Sequence, residues 1–278
     1  MSTPDQTPDT DELERAAEQI EAPLAGLVGD YEESEADNAP QAKGIFLLPN
    51  LLTSGALFCG FYAIIAGMQG DFYAGAVAIL VAMLFDGLDG RVARMTRTSS
   101  AFGAQYDSLS DMVSFGVAPA VVAYGWGLSD LGKLGLAAAF VYASCAALRL
   151  ARFNVQAEAS DGKQFTGLPS PAAAALVAGF VWSTYEMLPS VSLSVIGAVL
   201  TAAAGLLMVS NFKYPSFKEV DLRGKVPFIV ILSVAMGFVV ITIDPPRILF
   251  MLATFFCFSA PLIWLAKKLG LSAPSKSE

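Results

Sequence analysis

Long apolar stretches, separated by short polar segments, make up most of this chain. A helix needs roughly twenty predominantly apolar residues to cross the hydrocarbon layer of a membrane. Windows of that kind lie at about 46–68, 72–90, 104–127, 133–152, 170–188, 191–210, 226–243 and 246–266. The pattern therefore predicts an all-α integral membrane protein with about eight transmembrane helices.

The composition agrees with a membrane protein and sets the first residues apart. The 278-residue chain is 55% hydrophobic and 15% charged, which is too apolar for a soluble domain. Its net charge of −8 arises in residues 1–43, which hold twelve acidic and two basic residues, whereas the remainder holds 13 acidic and 15 basic. We expect an acidic, largely disordered cytoplasmic tail at 1–43, a polytopic membrane domain at 44–268 and a short cytoplasmic C-terminal tail at 269–278.

The basic residues predict the orientation, because lysine and arginine favour the cytoplasmic side of a membrane. If the N-terminus is inside, only Lys133 and Arg247 fall outside. The residues between and after the spans that fall inside include Arg91, Arg94, Arg97, Arg149, Arg152, Lys163, Lys213, Lys218, Arg223, Lys225, Lys267 and Lys268. We therefore expect a multi-pass protein of the cytoplasmic membrane with both termini on the cytoplasmic side.

Residue usage limits the possible chemistry. The chain has no histidine, which excludes Ser-His and Cys-His nucleophile pairs and histidine metal sites. The three cysteines each lie within an apolar window, where small thiols are ordinary packing residues. Any chemistry must therefore use carboxylates, basic groups, hydroxyls and bound ions.

Four aspartates stand at the facing ends of the second and third apolar windows, where a membrane protein should have few. Residues at i, i+3, i+4 and i+7 share a face of a helix, and so do residues four apart. One face thus carries Asp86 and Asp89 beside two small residues, and a second face carries Asp107 and Asp111 beside a glycine. The connection is short, which makes the helices antiparallel neighbours. We expect both acidic faces to converge on one cavity at the cytoplasmic end.

Uncompensated carboxylates in this setting are costly, at about 2.5–3.5 kcal/mol each on insertion scales. Two divalent cations would cancel a formal charge of −4, and oxygen ligands favour hard ions such as Mg²⁺, Mn²⁺ or Ca²⁺. Paired hard ions suit the transfer of a phosphoryl-type group. The alternative for each single aspartate is that it faces water or pairs with Arg91, Arg94 or Arg97.

The aspartates belong to a longer pattern, D-x2-D-G-x2-A-R-x8-G-x3-D-x3-D, which runs from Asp86 to Asp111. This pattern resembles the signature of the CDP-alcohol phosphotransferase family of integral membrane enzymes, and every signature position is matched. The stretches "LPNLLTSGALFCGF", "SLSDMVSFGVAPA", "LRLARFN" and "FTGLPSPAAA" are similar to the membrane-type phosphatidylserine synthases within that family. The resemblance covers roughly residues 44–240 and leaves out the acidic tail.

The resemblance implies a helical bundle of the family's type, with the membrane domain as the catalytic one. In the implied reaction, the hydroxyl of L-serine attacks CDP-diacylglycerol, which gives phosphatidylserine and CMP. Asp86, Asp89 and Asp107 would ligate two divalent cations, Mg²⁺ or Mn²⁺. Asp111 would share in this centre and act as the general base, so Asp107 and Asp111 are the expected catalytic residues.

The resemblance also implies where the nucleotide and the partners bind. The residues that the resemblance implies at the CDP-diacylglycerol site are Gly90, Ala93, Arg94 and Gly103. Asn50 and Thr53 are added from their position near the cytoplasmic start of the first span, where they could bind the nucleotide or instead cap the helix. We expect CDP-diacylglycerol, L-serine and membrane lipid as partners, and no nucleic acid. A homodimer is expected from the resemblance alone.

Serine carries a carboxylate, which an arginine can bind through two parallel hydrogen bonds. The candidates for this acceptor pocket are Arg149, Arg152, Asn154, Ser114 and Lys163. The two arginines could instead anchor the helix at the lipid headgroups. The lysine could simply be solvated, and the serine could bond to its own backbone.

The nearby sequence "GLPSP" also has two interpretations. Gly167 and Pro169 could form a rigid lip over the acceptor pocket, or they could simply break the chain before a helix begins at Pro171.

Two alternative functions stay open at this point. The first is the same chemistry with inositol, glycerol phosphate or choline as the acceptor, although choline would need an aromatic cage rather than an arginine. The second is a divalent-cation transporter that uses the acids as its transport site. Transporters usually place that site near the midplane on broken helices, often within repeats, whereas these acids lie at one end of the predicted helices.

Overall fold

The computed structural model describes residues 47–96, 100–159, 167–187, 190–212, 214, 236 and 242–269. They fall within one compact unit, Phe46–Glu278, while a second unit, Met1–Ile45, lies outside the described residues and contains the predicted acidic tail. Arg97, Lys163, the C-terminal residues 270–278 and most of the predicted span at 226–243 also lie outside them.

The described residues are almost entirely helical and contain no strand, which confirms the predicted all-α class. In chain order the helices are α1 (Leu47–Met68), α2 (Phe72–Thr96), α3 (Ala101–Asp111), α4 (Ala118–Trp126), α5 (Lys133–Ala159), α6 (Ser170–Thr184), α7 (Val191–Val209) and α8 (Pro245–Lys268). A π-helical stretch, Met112–Val117, joins α3 to α4, and a 3₁₀ turn, Leu128–Leu131, follows α4.

Several of these helices can span a membrane. Within the described residues, five are long and apolar enough, at Leu48–Met68, Phe72–Thr96, Lys133–Val155, Val191–Val209 and Pro245–Ala266. The chain is thus a multi-pass membrane protein, but the predicted number of eight spans is not confirmed. Helix α6 is apolar, yet its 15 residues extend only about 22 Å, less than the roughly 30 Å hydrocarbon core.

The helix that carries Asp107 and Asp111 changes its winding directly after Asp111. The residues at both joints of the π-helical stretch keep right-handed helical backbone angles, so α3, this stretch and α4 form one continuous rod. The hydroxyl of the fully buried Tyr142, on α5, donates a hydrogen bond of 2.9 Å to the carbonyl oxygen of Phe115 in the π turn. Helix α5 is thereby fixed against the rod one turn beyond the last aspartate.

Helix α1 packs closely along the same rod. The buried hydroxyl of Ser110 donates to the carbonyl oxygen of Thr53 at 3.2 Å, and that of Ser114 donates to the carbonyl oxygen of Ala56 at 3.0 Å. A Cβ atom at Gly60 would lie 2.6 Å from the Cα atom of Ser114. Only glycine permits this approach, which sets the distance between α1 and the aspartate-bearing helix.

Gly60→Ala is expected to lower the stability of the protein by about 1–3 kcal/mol, because overpacking forces two helix backbones apart. Thermal unfolding in detergent checks this, with Gly87→Ala as the matched control. A Cβ atom at Gly87 meets nothing within 4 Å, and alanine is favoured over glycine in a helix. Equal melting temperatures for the two variants would contradict the close packing described above.

The pairing of the helices brings several helix termini to one end of the bundle. Helices α1 and α2 form an antiparallel hairpin that turns at Gly70, whose φ of 82° suits glycine. Helix α5 packs along α7, and α6 packs along α8. The start of α1, the end of α2, the start of α3 and the end of α5 therefore meet at the end of the bundle that carries the four aspartates.

Candidate active site

Three of the four aspartates form a compact cluster. Asp86 and Asp89 lie near the end of α2, Asp107 lies on α3, and one carboxylate oxygen of each lies within 4.8 Å of the others. Asp89 is buried, and the other two are half-buried. Three converging carboxylates are a ligand set that hard divalent cations prefer, so these residues fit a metal centre.

The fourth aspartate, Asp111, adjoins this cluster on the next turn of α3. Its carboxyl group is in hydrogen-bonding contact with that of Asp86 and also interacts electrostatically with Asp107. Four carboxyl groups thus occupy one end of two neighbouring helices. Such a concentration of negative charge is strongly repulsive unless protons or cations compensate it.

The alternative that the aspartates pair with nearby arginines does not hold for the arginines that the structure describes. Within the described residues, one ion pair is closer than 4.0 Å. It joins Arg247 on α8 to Asp244, which lies just before that helix. Arg91 and Arg94 are both exposed at the end of α2. They therefore form no close ion pair with the clustered aspartates.

The buried Thr53 on α1 holds one of the clustered carboxylates. Its hydroxyl donates to Oδ2 of Asp89 at 2.8 Å and lies 3.1 Å from the carbonyl oxygen of Pro49. Its side chain is only 4% exposed. In this structure the hydroxyl therefore orients a carboxylate, a contact different from the nucleotide contact expected from the sequence.

Asn50 lies in the first turn of α1 rather than before it, so it is not the N-cap of that helix. It faces the start of α3, because a Cβ atom at Gly103 would lie 3.5 Å from its Oδ1 atom. The amide of Gly103 donates to Oγ of Ser100 at 2.9 Å, which caps α3. The amide side chain of Asn50 thus lies beside Gly103, one turn before Asp107 on α3.

The small residues expected to admit the nucleotide lie beside the aspartates. A Cβ atom at Gly90 would have the guanidinium of Arg94 as its nearest neighbour, at 3.7 Å. Ala93 lies one turn after Gly90 on the same helix and is half-buried. Gly90, Ala93 and Arg94 therefore form one surface at the end of α2.

The residues expected to bind the acceptor do not form one pocket in the structure. The guanidinium of Arg149 donates to Oγ of Ser170 at 2.7 Å and interacts electrostatically with Asp86 and Asp111. In contrast, Arg152 donates to Oδ1 of Asn211 at 3.1 Å, beyond the end of α7. Of the two arginines, the structure directs Arg149 toward the carboxylates.

Two further candidates for acceptor binding use their side chains for hydrogen bonds between helices. Asn154 accepts a hydrogen bond of 3.0 Å from Ser108 and donates one of 3.5 Å to Gln105, both on α3. Ser114 is fully buried, and its hydroxyl is bonded to the carbonyl oxygen of Ala56. The fifth candidate, Lys163, lies outside the described residues.

The sequence "GLPSP" is fixed to the end of α7. The amides of Gly167 and Leu168 donate to the carbonyl oxygens of Phe212 and Leu207 at 2.8 and 3.0 Å. Gly167 has a φ of 88°, a conformation that side chains rarely adopt. Helix α6 then begins at Ser170. The segment thus breaks the chain before a helix, as one interpretation proposed, and it also places Ser170 against Arg149.

Comparison with known proteins identifies the family. The sequence profile of the CDP-alcohol phosphatidyltransferase family matches residues 46–212, more than half of the chain and all four aspartates. The chain belongs to this family. The resemblance seen in the signature residues is confirmed.

Two relatives with similar sequences agree with this assignment. The CDP-diacylglycerol–serine O-phosphatidyltransferase of Helicobacter pylori is 37% identical over 197 residues, which cover 70% of this chain and 83% of that enzyme. The archaetidylserine synthase of Methanothermobacter thermautotrophicus is 36% identical over 180 residues, which cover 64% and 73%. A crystal structure of Mycobacterium tuberculosis phosphatidylinositol phosphate synthase with CDP-DAG bound matches at 22% identity and a TM-score of 0.46, covering 59% of this chain and 82% of that one.

The sequence analysis did not identify two residues, Ser170 and Tyr106, whose side chains make contacts between helices near the aspartates. Ser170 follows a proline in a segment that was considered only for its backbone, and no periodic pattern relates it to Arg149. Tyr106 on α3 shares a hydrogen bond of 2.8 Å with Ser54 on α1 and stacks against Phe102. Both contacts join helices that are distant in sequence, so spacing alone carries no signal for them.

Proposed function

We propose that this chain transfers the phosphatidyl group of CDP-diacylglycerol to the hydroxyl of L-serine, giving phosphatidylserine and CMP. The observation that carries the proposal is the convergence of four carboxylates on one end of the bundle, with Arg149 beside them, in a member of the CDP-alcohol phosphatidyltransferase family. The relatives from Helicobacter and Methanothermobacter differ in the lipid that their names specify but share serine.

The carboxylates would hold the cofactor. Asp86, Asp89 and Asp107, with Asp111 beside them, fit two divalent cations, Mg²⁺ or Mn²⁺. Such ions would neutralise the diphosphate of the donor and align the attacking and leaving oxygens. Gly90, Ala93 and Gly103 would leave space beside the carboxylates for the nucleotide, and the guanidinium of Arg94 and the amide of Asn50 would bind its phosphates and base.

Side chains of the protein remove the proton from the acceptor and bind the acceptor. The serine oxygen forms a bond to the phosphorus that bears diacylglycerol, while the bond from that phosphorus to the CMP oxygen breaks and its electron pair leaves with CMP. Asp111 takes the proton from the serine hydroxyl, because a carboxylate at this position can act as a general base. Arg149 binds the carboxylate of serine.

The proposal extends to the placement of the protein. The donor lipid cannot leave the bilayer, whereas serine and CMP are polar. We propose that the aspartate end of the bundle faces the cytoplasm in the cell membrane, with both termini on that side and the membrane domain at 44–268 flanked by two tails. Reactivity of single cysteines introduced near each terminus and at Lys133, probed from outside intact cells, would check this orientation. A homodimer is part of the proposal and rests on the family alone.

The test of function is CMP release by the purified protein with CDP-diacylglycerol and Mg²⁺ or Mn²⁺. L-serine is compared with inositol, glycerol 3-phosphate and choline as acceptors. Release that requires both serine and the metal supports the proposed reaction. Release with another acceptor would retain the metal centre and replace the acceptor. Metal flux into liposomes without CMP release would instead support a transporter.

Thr53→Val is expected to raise the metal concentration needed for half-maximal CMP release by about 10–100-fold, as is typical when a residue that orients a metal ligand is lost. Valine keeps the shape of threonine but removes the hydrogen bond to Asp89. Titration of Mn²⁺ against activity measures the change. Ser54→Ala is the control, because it removes a neighbouring hydroxyl that is bonded to the backbone carbonyl of Asn50 and to the hydroxyl of Tyr106. Equal metal requirements for both variants would remove this role from Thr53.

A further inference from the structure

The first residue of α6, Ser170, makes a buried polar contact that the proposed mechanism does not yet use. Its side chain has no exposed surface, and its Oγ atom accepts a hydrogen bond of 2.7 Å from Nη1 of Arg149. Its position is fixed from the preceding segment, because the amide of Leu168 is bonded to Leu207 in the last turn of α7 and that of Gly167 to Phe212 just beyond this helix. A neutral hydroxyl on a fixed backbone therefore holds one edge of the guanidinium.

The setting of Arg149 makes this contact consequential. The guanidinium interacts electrostatically with Asp86 and Asp111, yet within the described residues no ion pair closer than 4.0 Å joins them. An arginine beside several carboxylates is attracted toward a direct pair with one of them. Such a pair would occupy the hydrogen-bond donors of the guanidinium. It would also neutralise the positive charge that would otherwise attract the carboxylate of the acceptor. In the structure the guanidinium is instead bonded to the neutral hydroxyl of Ser170.

We propose that Ser170 is a positioning residue that sets acceptor selection. Its hydroxyl anchors the Arg149 guanidinium away from Asp86 and Asp111, so that the free edge of the guanidinium binds the carboxylate of the acceptor. The inference rests on the proposed function, in which that acceptor is L-serine. It adds that selection for the carboxylate depends on a residue that never touches the acceptor.

The test compares L-serine with ethanolamine, which has the same hydroxyl and ammonium groups but lacks the carboxylate. Ser170→Ala is expected to raise the KM for L-serine by about 10–100-fold, the effect of losing a hydrogen bond to a charged group, and to leave the KM for CDP-diacylglycerol within about twofold. Because ethanolamine gains nothing from Arg149, the ratio of kcat/KM for serine over ethanolamine should fall by a similar factor. A change in global stability would not alter this ratio.

Three further variants complete the experiment. Ser170→Thr keeps the hydroxyl and should restore the serine preference, whereas Ser170→Cys keeps the size with a weak acceptor and should resemble Ser170→Ala. If Ser170→Ala does not fold, the comparison of Thr with Cys decides. Ser194→Ala on α7 is the matched control, because that serine is also fully buried but its hydroxyl has no hydrogen-bond partner among the residues that the structure describes.

The outcomes separate this inference from the proposed function. An unchanged serine preference in both the Ala and the Cys variants, with serine-dependent CMP release by the wild type, overturns the role of Ser170 alone. An equal rise in both KM values also overturns it, because it indicates a general disturbance of the site. Wild-type release with an acceptor other than serine overturns the proposed function and this inference together.

Discussion

Asp107→Asn and Asp111→Asn are each expected to leave the protein folded and to lower kcat for CMP release by at least about 10²-fold, because Asp107 is a proposed metal ligand and Asp111 the proposed general base, whose loss typically costs about 10²–10⁴-fold. Asparagine keeps the shape of aspartate but removes a negative charge from a site where four carboxyl groups converge. Less repulsion between these groups should preserve or raise the melting temperature. Single-turnover CMP release and thermal unfolding measure the two effects.

The two variants should differ in how they respond to metal. Asp107 belongs to the compact cluster of ligands, so added Mn²⁺ should partly restore Asp107→Asn. Asp111 is assigned the proton transfer, so metal should not restore Asp111→Asn. Asp130→Asn, an exposed carboxylate in the 3₁₀ turn far along the chain from the cluster, is the control and should retain full activity. Near-normal turnover in either cluster variant would refute the assigned role.

The hydrophobic pattern predicted the helices well where a single span is continuous and apolar. The windows at 46–68, 72–90, 133–152, 191–210 and 246–266 correspond to α1, α2, α5, α7 and α8. The pattern was less informative where polar and apolar residues share a helix. Helix α2 continues past residue 90 to Thr96, because a helix that has reached the membrane surface can extend into water without an apolar face.

The pattern also could not reveal the change of winding within the third window. The π-helical stretch follows Asp111 directly. It is hydrogen-bonded to two other helices, because Ser114 donates to α1 and Tyr142 of α5 donates to Phe115. Helical periodicity describes one helix at a time. A local change that neighbouring helices stabilise leaves no trace in it.

The convergence of the aspartates was the most predictable part of the site. Their spacing places them on two helix faces, and a short connection makes those helices neighbours. The structure brings Asp86, Asp89 and Asp107 within 4.8 Å of one another. In contrast, the bond from Thr53 to Asp89 joins residues 36 apart, and it depends on how closely α1 approaches α2 and α3. That approach is set by Gly60 and Ser114, whose role appears only in three dimensions.

The two arginines of α5 show where spacing misleads. Arg149 and Arg152 are three residues apart and were assigned one face and one pocket. A step of three residues turns a helix by about 300°, so two long side chains leave it in directions that differ by about 60°. One reaches Ser170 and the aspartates, whereas the other reaches Asn211 beyond α7. The acceptor pocket proposed here therefore uses Arg149 alone.

Arg149→Lys is expected to lower kcat/KM for L-serine by about 10–100-fold, which corresponds to the loss of one charge-assisted hydrogen bond in a bidentate pair. Lysine keeps the positive charge but cannot bond Ser170 and a carboxylate through one rigid fork. The KM for CDP-diacylglycerol should change by less than about threefold, because Arg149 is not assigned to the donor. Steady-state kinetics with each substrate varied in turn separate the two effects.

Arg152→Lys is the comparison for this experiment, since it makes the same substitution one turn later on the same helix. Its bond to Asn211 lies outside the aspartate cluster, so serine and donor kinetics should both stay close to those of the wild type. Equal losses for both substrates in Arg149→Lys would place this arginine at the phosphates instead. A larger serine defect in Arg152→Lys than in Arg149→Lys would transfer the acceptor pocket to the other arginine, and the contact between Arg149 and Ser170 would then serve only to join α5 to α6.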